Sequence, residues 1–275
     1  MVIVIQCTDK VGLVAAISVI MAKEKINIVS MREHVDKSEN RFFARLEVDY
    51  TPNANAIEQE LINALPADAF VKVNPEPSKK IILLVTKEYH CLADILIRNH
   101  FKTLEATVQC VIGNHEILSD VCSRFDVPFH YVGHEEKSKP EFEEALLKII
   151  NKFQADFLVL AKFMRILSPE FMQKFPMRII NIHHSFLPAF AGASPYRQAY
   201  DRGVKLIGAT SHFVTNELDE GPIIAQQIIP VTHSFTTADM VKAGKEIETA
   251  VLAKAMQLVL EDRVVVYKNK TVIFE

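Results

Sequence analysis

Two stretches in the second half of the chain set polar side chains among apolar, strand-like residues. One is Asn181-Ile182-His183-His184-Ser185-Phe186-Leu187-Pro188-Ala189-Phe190; the other is His212-Phe213-Val214-Thr215-Asn216-Glu217-Leu218-Asp219-Glu220-Gly221-Pro222. Arg178-Ile179-Ile180 leads into the first, and Leu206-Ile207-Gly208-Ala209-Thr210 leads toward the second. Polar side chains just past strand ends of an α/β sheet gather in the crevice where ligands bind. Together they offer an amide, an imidazole and a carboxylate, the groups needed for acyl transfer. Attack on a carbonyl builds negative charge on its oxygen, and donors fixed around that oxygen are usually the largest catalytic contribution. Asn181 and His183, two apart on an extended segment, project to the same side and can both face it. Asp219 can orient the imidazole and take a proton from the incoming nucleophile. A serine-nucleophile reading of Ser185 lacks the Gly-x-Ser-x-Gly elbow. A metal site from His183, His184 and Asp219 is disfavoured because adjacent strand histidines point to opposite faces and no HExxH spacing occurs. A lone His183 would ordinarily be structural, but Asn181 and Asp219 in matching contexts shift the balance toward catalysis. His212 reads as a supporting or core residue.

The remaining composition bounds the class of protein. The chain has 275 residues, enough for two domains that each bury a core. A net charge of −3 argues against a nucleic-acid surface, which would show a basic excess. The longest apolar runs, such as Phe157-Leu158-Val159-Leu160-Ala161, are far short of the ~20 residues of a membrane span. Asp9 and Lys10 arrive too early for a signal peptide. Cys7, Cys91, Cys110 and Cys122 are scattered and read as reduced, mostly buried thiols. The expectation is a soluble, cytoplasmic protein with no nucleic-acid or membrane partner.

The elements that must position the polar stretches fall into two groups. Residues 1–77 give strand Val2–Gln6, a turn at Asp9-Lys10-Val11-Gly12-Leu13, a helix carrying Val14, Ile17, Ile20 and Met21, and strands at Ile26–Met31 and Phe42–Val48. A helix near Ile57 to Leu65 and a strand near Phe70 to Val73 complete βαββαβ, the ferredoxin-like order. Asp9 and Gly12 read as helix-entry residues, with Gly12 letting the chain pack closely. Pro75-Glu76-Pro77-Ser78 forms a stiff boundary.

Residues 78–275 alternate strand and helix: strand Ile81–Val85, helix Cys91–Asn99, strand Thr107–Ile112, helix Ile117–Phe125, strand Phe129–Tyr131, helix Glu141–Phe153 and strand Phe157–Leu160. After the two polar stretches come a strand near Ile223 to Ile229, a helix Ala238–Leu260, and strands at Val264–Val266 and Val272–Phe274. This alternation argues for a doubly wound, mostly parallel α/β sheet. The first strand-to-helix turn, Thr86-Lys87-Glu88-Tyr89-His90-Cys91, contains no glycine. A phosphate cradle there would need bare backbone, so a nucleotide or sugar-phosphate is not expected at that point.

Ala161-Lys162-Phe163-Met164-Arg165-Ile166-Leu167-Ser168, Asn181-Ile182-His183 and Glu217-Leu218-Asp219-Glu220-Gly221-Pro222-Ile223-Ile224 resemble, in order and spacing, the folate-dependent formyltransferase family. That resemblance makes Asn181, His183 and Asp219 the catalytic trio. It also makes Met164, Arg165, Ile166, Leu167, His184, Val214, Thr215, Asn216, Glu217 and Leu218 the contacts to 10-formyltetrahydrofolate. The βαββαβ unit with Asp-x-x-Gly-Leu after its first strand resembles the ACT domain, a sensing and pairing module, with Val11 where that family usually has Pro. The combination with Asn-Ile-His-His-Ser-Phe-Leu-Pro-Ala-Phe is similar to the formyltetrahydrofolate deformylases, departing at Ala191, where a Lys is expected. The resemblance implies hydrolysis of 10-formyltetrahydrofolate to tetrahydrofolate and formate, serving one-carbon metabolism and purine biosynthesis. It implies no metal or redox cofactor, a homo-oligomer (dimer or tetramer), and an amino-acid effector such as glycine or methionine at Asp9 and Gly12. The alternatives are a formyltransferase to a small amine such as glycinamide ribonucleotide, and a non-enzymatic amino-acid or folate sensor.

Overall fold

The computed structural model describes residues 1–49, 53–75, 78–189 and 195–275. Phe190, Ala191 and the Glu76-Pro77 boundary lie outside the described residues. The chain divides into two compact units, residues 1–77 with 259–275, and residues 78–258. No described helix is long and apolar enough to cross a membrane.

The first unit runs β1 (Val2–Thr8), α1 (Leu13–Lys23), β2 (Ile28–Asp36), β3 (Arg41–Val48), α2 (Ala54–Ala64) and β4 (Phe70–Asn74). It forms an antiparallel sheet of order β2-β3-β1-β4, the ferredoxin-like arrangement of the ACT fold. Alternate residues of β3 face opposite sides. Phe42, Ala44, Leu46 and Val48 join Leu13, Ile17, Met21, Ile57 and Leu61 in a core under the two helices. Phe43 faces the other way, against Val4, Val265 and Phe274. Gly12 adopts φ 94 at the start of α1, and a Cβ there would meet nothing within 4 Å. Its role is therefore conformational, correcting the close-packing alternative; Asp9 does not cap the helix, which has no side-chain cap.

The second unit contains β5 (Lys79–Val85), α3 (His90–His100), β6 (Ala106–Gly113), α4 (Ser119–Ser123), β7 (Phe129–Tyr131), α5 (Lys139–Ile150) and β8 (Phe157–Leu160). It continues through α6 (Pro169–Met172), β9 (Ile179–His183), α7 (Pro195–Arg202), β10 (Leu206–Phe213), β11 (Ile223–Pro230) and α8 (Thr237–Leu260). Its sheet has order β11-β10-β9-β8-β5-β6-β7. Strands β5 to β9 pair in parallel, whereas β10 and β11 are antiparallel additions. Ile81 to Val85 are all fully buried, as expected of a strand covered on both faces. The chain winds from β5 outward to β7, then returns to β8 and β9, so the strand order reverses between β5 and β8. Such a reversal opens a crevice at the carboxyl ends of the strands.

Two expectations change. The helix expected over Ile117–Phe125 is a 3₁₀ turn, Glu116–Leu118, followed by the five-residue α4. Ile117 points outward and Leu118 inward, so the segment buries too little to sustain a longer helix. Residues 259–275, expected in the second domain, belong to the first unit as β12 (Val264–Tyr267) and β13 (Lys270–Ile273). Buried Arg45 of β3 explains this placement: its guanidinium donates to the carbonyls of Asp262 at 3.0 Å and Glu261 at 2.8 Å, and to Glu47 at 2.7 Å.

Gly12→Ala places a Cβ in the left-handed region, so it should destabilise the protein by about 1–2 kcal/mol without steric conflict. Urea unfolding of both proteins measures this, and an unchanged midpoint would refute the conformational role.

Candidate active site

Strand β9 carries the first two polar groups within itself. Asn181 and His183 are its third and fifth residues, whereas the sequence suggested positions just past the strand end. The reason is β10, which pairs antiparallel with β9 and extends its ladder, setting Asn181 opposite His212 and His183 opposite Thr210. The ladder is reinforced by side chains. Ser211 Oγ donates to the Asn181 carbonyl at 2.9 Å. Thr210 Oγ1 donates to the Ser185 carbonyl at 2.9 Å and accepts from the Leu187 amide at 3.0 Å, tying down the turn after His184.

The loop between β10 and β11 delivers the carboxylate. Phe213 N donates to the Pro222 carbonyl at 3.0 Å, closing the loop at its neck. Gly221 is required there, since a Cβ would lie 1.7 Å from the Phe213 carbonyl oxygen. Asp219 adopts φ 58, a left-handed conformation that Asp tolerates better than most residues. Its Oδ1 lies 3.3 Å from His183 Nδ1 and 3.7 Å from His212 Nε2. The nearby His183, and then His212, hold this carboxyl far below the usual range, despite opposing desolvation.

Asn181, His183 and Asp219 thus converge as the sequence suggested, and His212 joins them. His212 Nδ1 donates to the Phe213 carbonyl at 2.9 Å, because a carbonyl can only accept. In the neutral ring Nε2 then accepts, and Asn181 Nδ2 lies 3.2 Å from it. One amide hydrogen of Asn181 is thereby fixed and the other stays available. The signal for this part was Thr210-Ser211-His212, three polar residues in a strand whose burial leaves them no solvent. His183 is buried, and its Nε2 has no hydrogen-bond partner among the described residues.

The other expected contacts divide into anchors and exposed residues. Leu167 is buried in the core beneath the sheet, and Val214 packs against the same cluster. Met164 is 58% exposed, Ile166 64% and Leu218 61%, with Arg165, Asn216 and Glu217 also exposed and Thr215 half-buried. Three exposed apolar side chains on two loops that share one core anchor suit an aromatic ligand ring. His184 instead turns its ring toward Tyr196, 6.1 Å between centroids.

Among the described residues, His90, Cys91 and Glu248 are the group whose donor atoms approach within 4.8 Å of one another. The Lys162 ammonium stands 3.1 Å from Glu248 Oε2, so a cation already balances this carboxylate. Burial pushes the Cys91 thiol far up, which disfavours the thiolate a metal would need.

Burial, then the charge of Lys162, pushes His184 down to about 4. The folded state therefore binds fewer protons than the unfolded one between pH 4 and 6.5. Stability from this group is complete above the unfolded value, about 6.5, and is lost as pH falls toward 4. Urea unfolding at pH 7 and pH 5 should show a loss about 2 kcal/mol larger in the native protein than in His184→Gln. Equal losses would refute it.

Comparison with known proteins is consistent with this geometry. Residues 79–256 match the formyl transferase family model and residues 1–60 the ACT domain model. A formyltetrahydrofolate deformylase of Haemophilus influenzae is 46% identical over 97% of this chain and 96% of its own. The crystal structure of a formyltetrahydrofolate deformylase from Pseudomonas syringae superimposes with a TM-score of 0.94 at 38% identity, covering 100% of this chain and 94% of that one. A glycinamide ribonucleotide transformylase from Symbiobacterium toebii matches 72% of this chain and 95% of its own, with a TM-score of 0.69 and 31% identity. The chain belongs to the formyltetrahydrofolate deformylase family of hydrolases, built from an ACT unit and a formyl transferase unit.

Proposed function

We infer that the site hydrolyses 10-formyltetrahydrofolate to tetrahydrofolate and formate, with Asn181, His183 and Asp219 as its catalytic residues. The observation that carries this reading is the His183 ring, held at Nδ1 by Asp219 while buried Nε2 lacks a partner among the described residues. Buried polar atoms are normally satisfied, so an orphan here marks the place of a substrate atom.

In its charged form His183 donates Nε2–H to the formyl oxygen, and the spare amide hydrogen of Asn181 donates to the same atom. Water attacks the formyl carbon, and its proton passes to Asp219. A carboxylate held so low is a weak base at rest. It regains basicity during the step, because the developing oxyanion neutralises the imidazolium that faces it. The C–N10 bond then breaks, N10 takes the proton, and formate and tetrahydrofolate leave. His212 keeps Asn181 oriented throughout. No step calls for a metal or redox cofactor. Met164, Ile166 and Leu218 offer apolar surface for the pterin, while Leu167 and Val214 anchor those loops from below.

The kinship of the second unit to a transformylase supports a second reading, formyl transfer to a small amine. For the first unit, its match to the ACT model supports an amino-acid effector near Asp9 and Gly12 and assembly into a homo-oligomer.

Incubation with 10-formyltetrahydrofolate and no acceptor should release formate and tetrahydrofolate in equal amounts. Asp219→Asn should lower kcat by about 10²–10⁴-fold. Asn181→Ala should lower it by about 10²–10³-fold. Turnover that begins only when an amine is added would overturn hydrolysis in favour of transfer, and an active Asp219→Asn would remove the proposed base.

A further inference from the structure

A second polar cluster, which hydrolysis does not use, adjoins the trio through His184. Glu248 of α8 is 1% exposed, and both of its oxygens are engaged. Tyr196 Oη donates to Oε1 at 2.7 Å. His90 Nε2 donates to Oε2 at 2.8 Å, and Lys162 Nζ stands 3.1 Å from the same oxygen. Desolvation alone would raise the carboxyl, but these partners outweigh it and hold Glu248 down at about 2. Gly244, one turn earlier on α8, leaves the space for Tyr196: a Cβ there would lie 2.2 Å from the ring. Lys162 reaches the cluster through a left-handed backbone, φ 64. An ion pair buried in this way costs desolvation that apolar residues of equal size would avoid, so its presence asks for a role.

Position supplies that role. Leu160, the last residue of β8, pairs with Asn181, and Lys162 follows two residues on, just past that strand end. Leu84 of β5 pairs with Leu160, and Met164 N donates to Thr86 Oγ1 at 2.9 Å, so the turn that carries His90 borders the same point. His184 links the two groups, its ring 5.2 Å from His183 and 6.1 Å from Tyr196. This is the reversal of strand order, where open α/β sheets hold their ligands. The glycine-free turn places a side chain where an anionic acceptor would need bare backbone.

We propose that Lys162, Glu248, His90 and Tyr196 fill the part of the crevice an amine acceptor would occupy beside the formyl carbon, so that water is the nucleophile admitted. The proposal rests on the hydrolase reading of Asn181, His183 and Asp219. With an amine in place of water, its nitrogen would attack the formyl carbon and the C–N10 bond would break. One amine proton would pass to N10, giving a formylated amine and tetrahydrofolate.

The test is partition of the formyl group. The protein is given 10-formyltetrahydrofolate with no amine, with hydroxylamine, or with glycinamide, and formate, tetrahydrofolate and formylated amine are measured against an Asp219→Asn blank. The native protein should form some formohydroxamate with hydroxylamine, little larger than water, and no formylglycinamide. A double variant, His90→Gly with Lys162→Gly, should raise the ratio of formylglycinamide to formate at least about tenfold. Lys162→Arg, which keeps the cation, should retain the native ratio. Native protein that formylates glycinamide in proportion to its concentration would overturn the proposal. So would a folded, hydrolysing double variant with an unchanged ratio. If the double variant does not fold, the size cut-off in the native protein decides alone: its presence supports the plug and its absence refutes it. No formate from native protein without amine would instead refute the underlying hydrolase reading, and the plug with it.

Discussion

The site depends on one register, the antiparallel pairing of β9 with β10. It sets Asn181 against His212 and brings His183 level with Thr210. Because side chains alternate with a period of two, a slip of one residue would turn all of these groups to the opposite face. Side chains reinforce the backbone ladder at the point where a slip would matter. Ser211 bonds to the carbonyl of Asn181, and Thr210 bonds to both sides of the turn after His184. Only with that register fixed can the loop closed by Phe213 and Gly221 place Asp219 within reach of two imidazoles.

Much of this was legible in the sequence, for reasons that differ by element. The continuous apolar run Ile81–Val85 announces a strand buried on both faces, and the sheet confirms it. The entry to α5 carries a signal that went unused, the capping box of Ser138 and Glu141 around Pro140: the helix begins at Lys139, not at the expected Glu141. Strand direction was not legible, because an apolar run reads the same whether its neighbour is parallel or antiparallel. That is why Asn181 and His183 were expected beyond a strand that in fact contains them. The short α6 went unread although Ser168 caps it and Pro169 opens it, a signal that local chemistry does supply.

The return of the last residues to the first unit had a quieter signal. Strand β3 reads Arg41-Phe42-Phe43-Ala44-Arg45-Leu46, with two successive aromatics where a sheet open to water on one side would alternate apolar and polar. Phe43 and Arg45 belong to a covered face, and its cover comes from β12 and β13. Nothing in local pattern states that the cover lies more than two hundred residues downstream.

That distance has a consequence for how the chain is made. A ribosome releases the N-terminal sheet well before Val265 and Phe274, which cover one of its faces. Until then Phe43, Val4 and Val2 lack the cover of Val265 and Phe274, and the guanidinium of Arg45 lacks the two carbonyls that accept from it. In sequence, the formyl transferase unit is thus inserted between the two parts of the first unit. Cover on both faces of the first sheet therefore depends on a hairpin that is synthesised only after the formyl transferase unit.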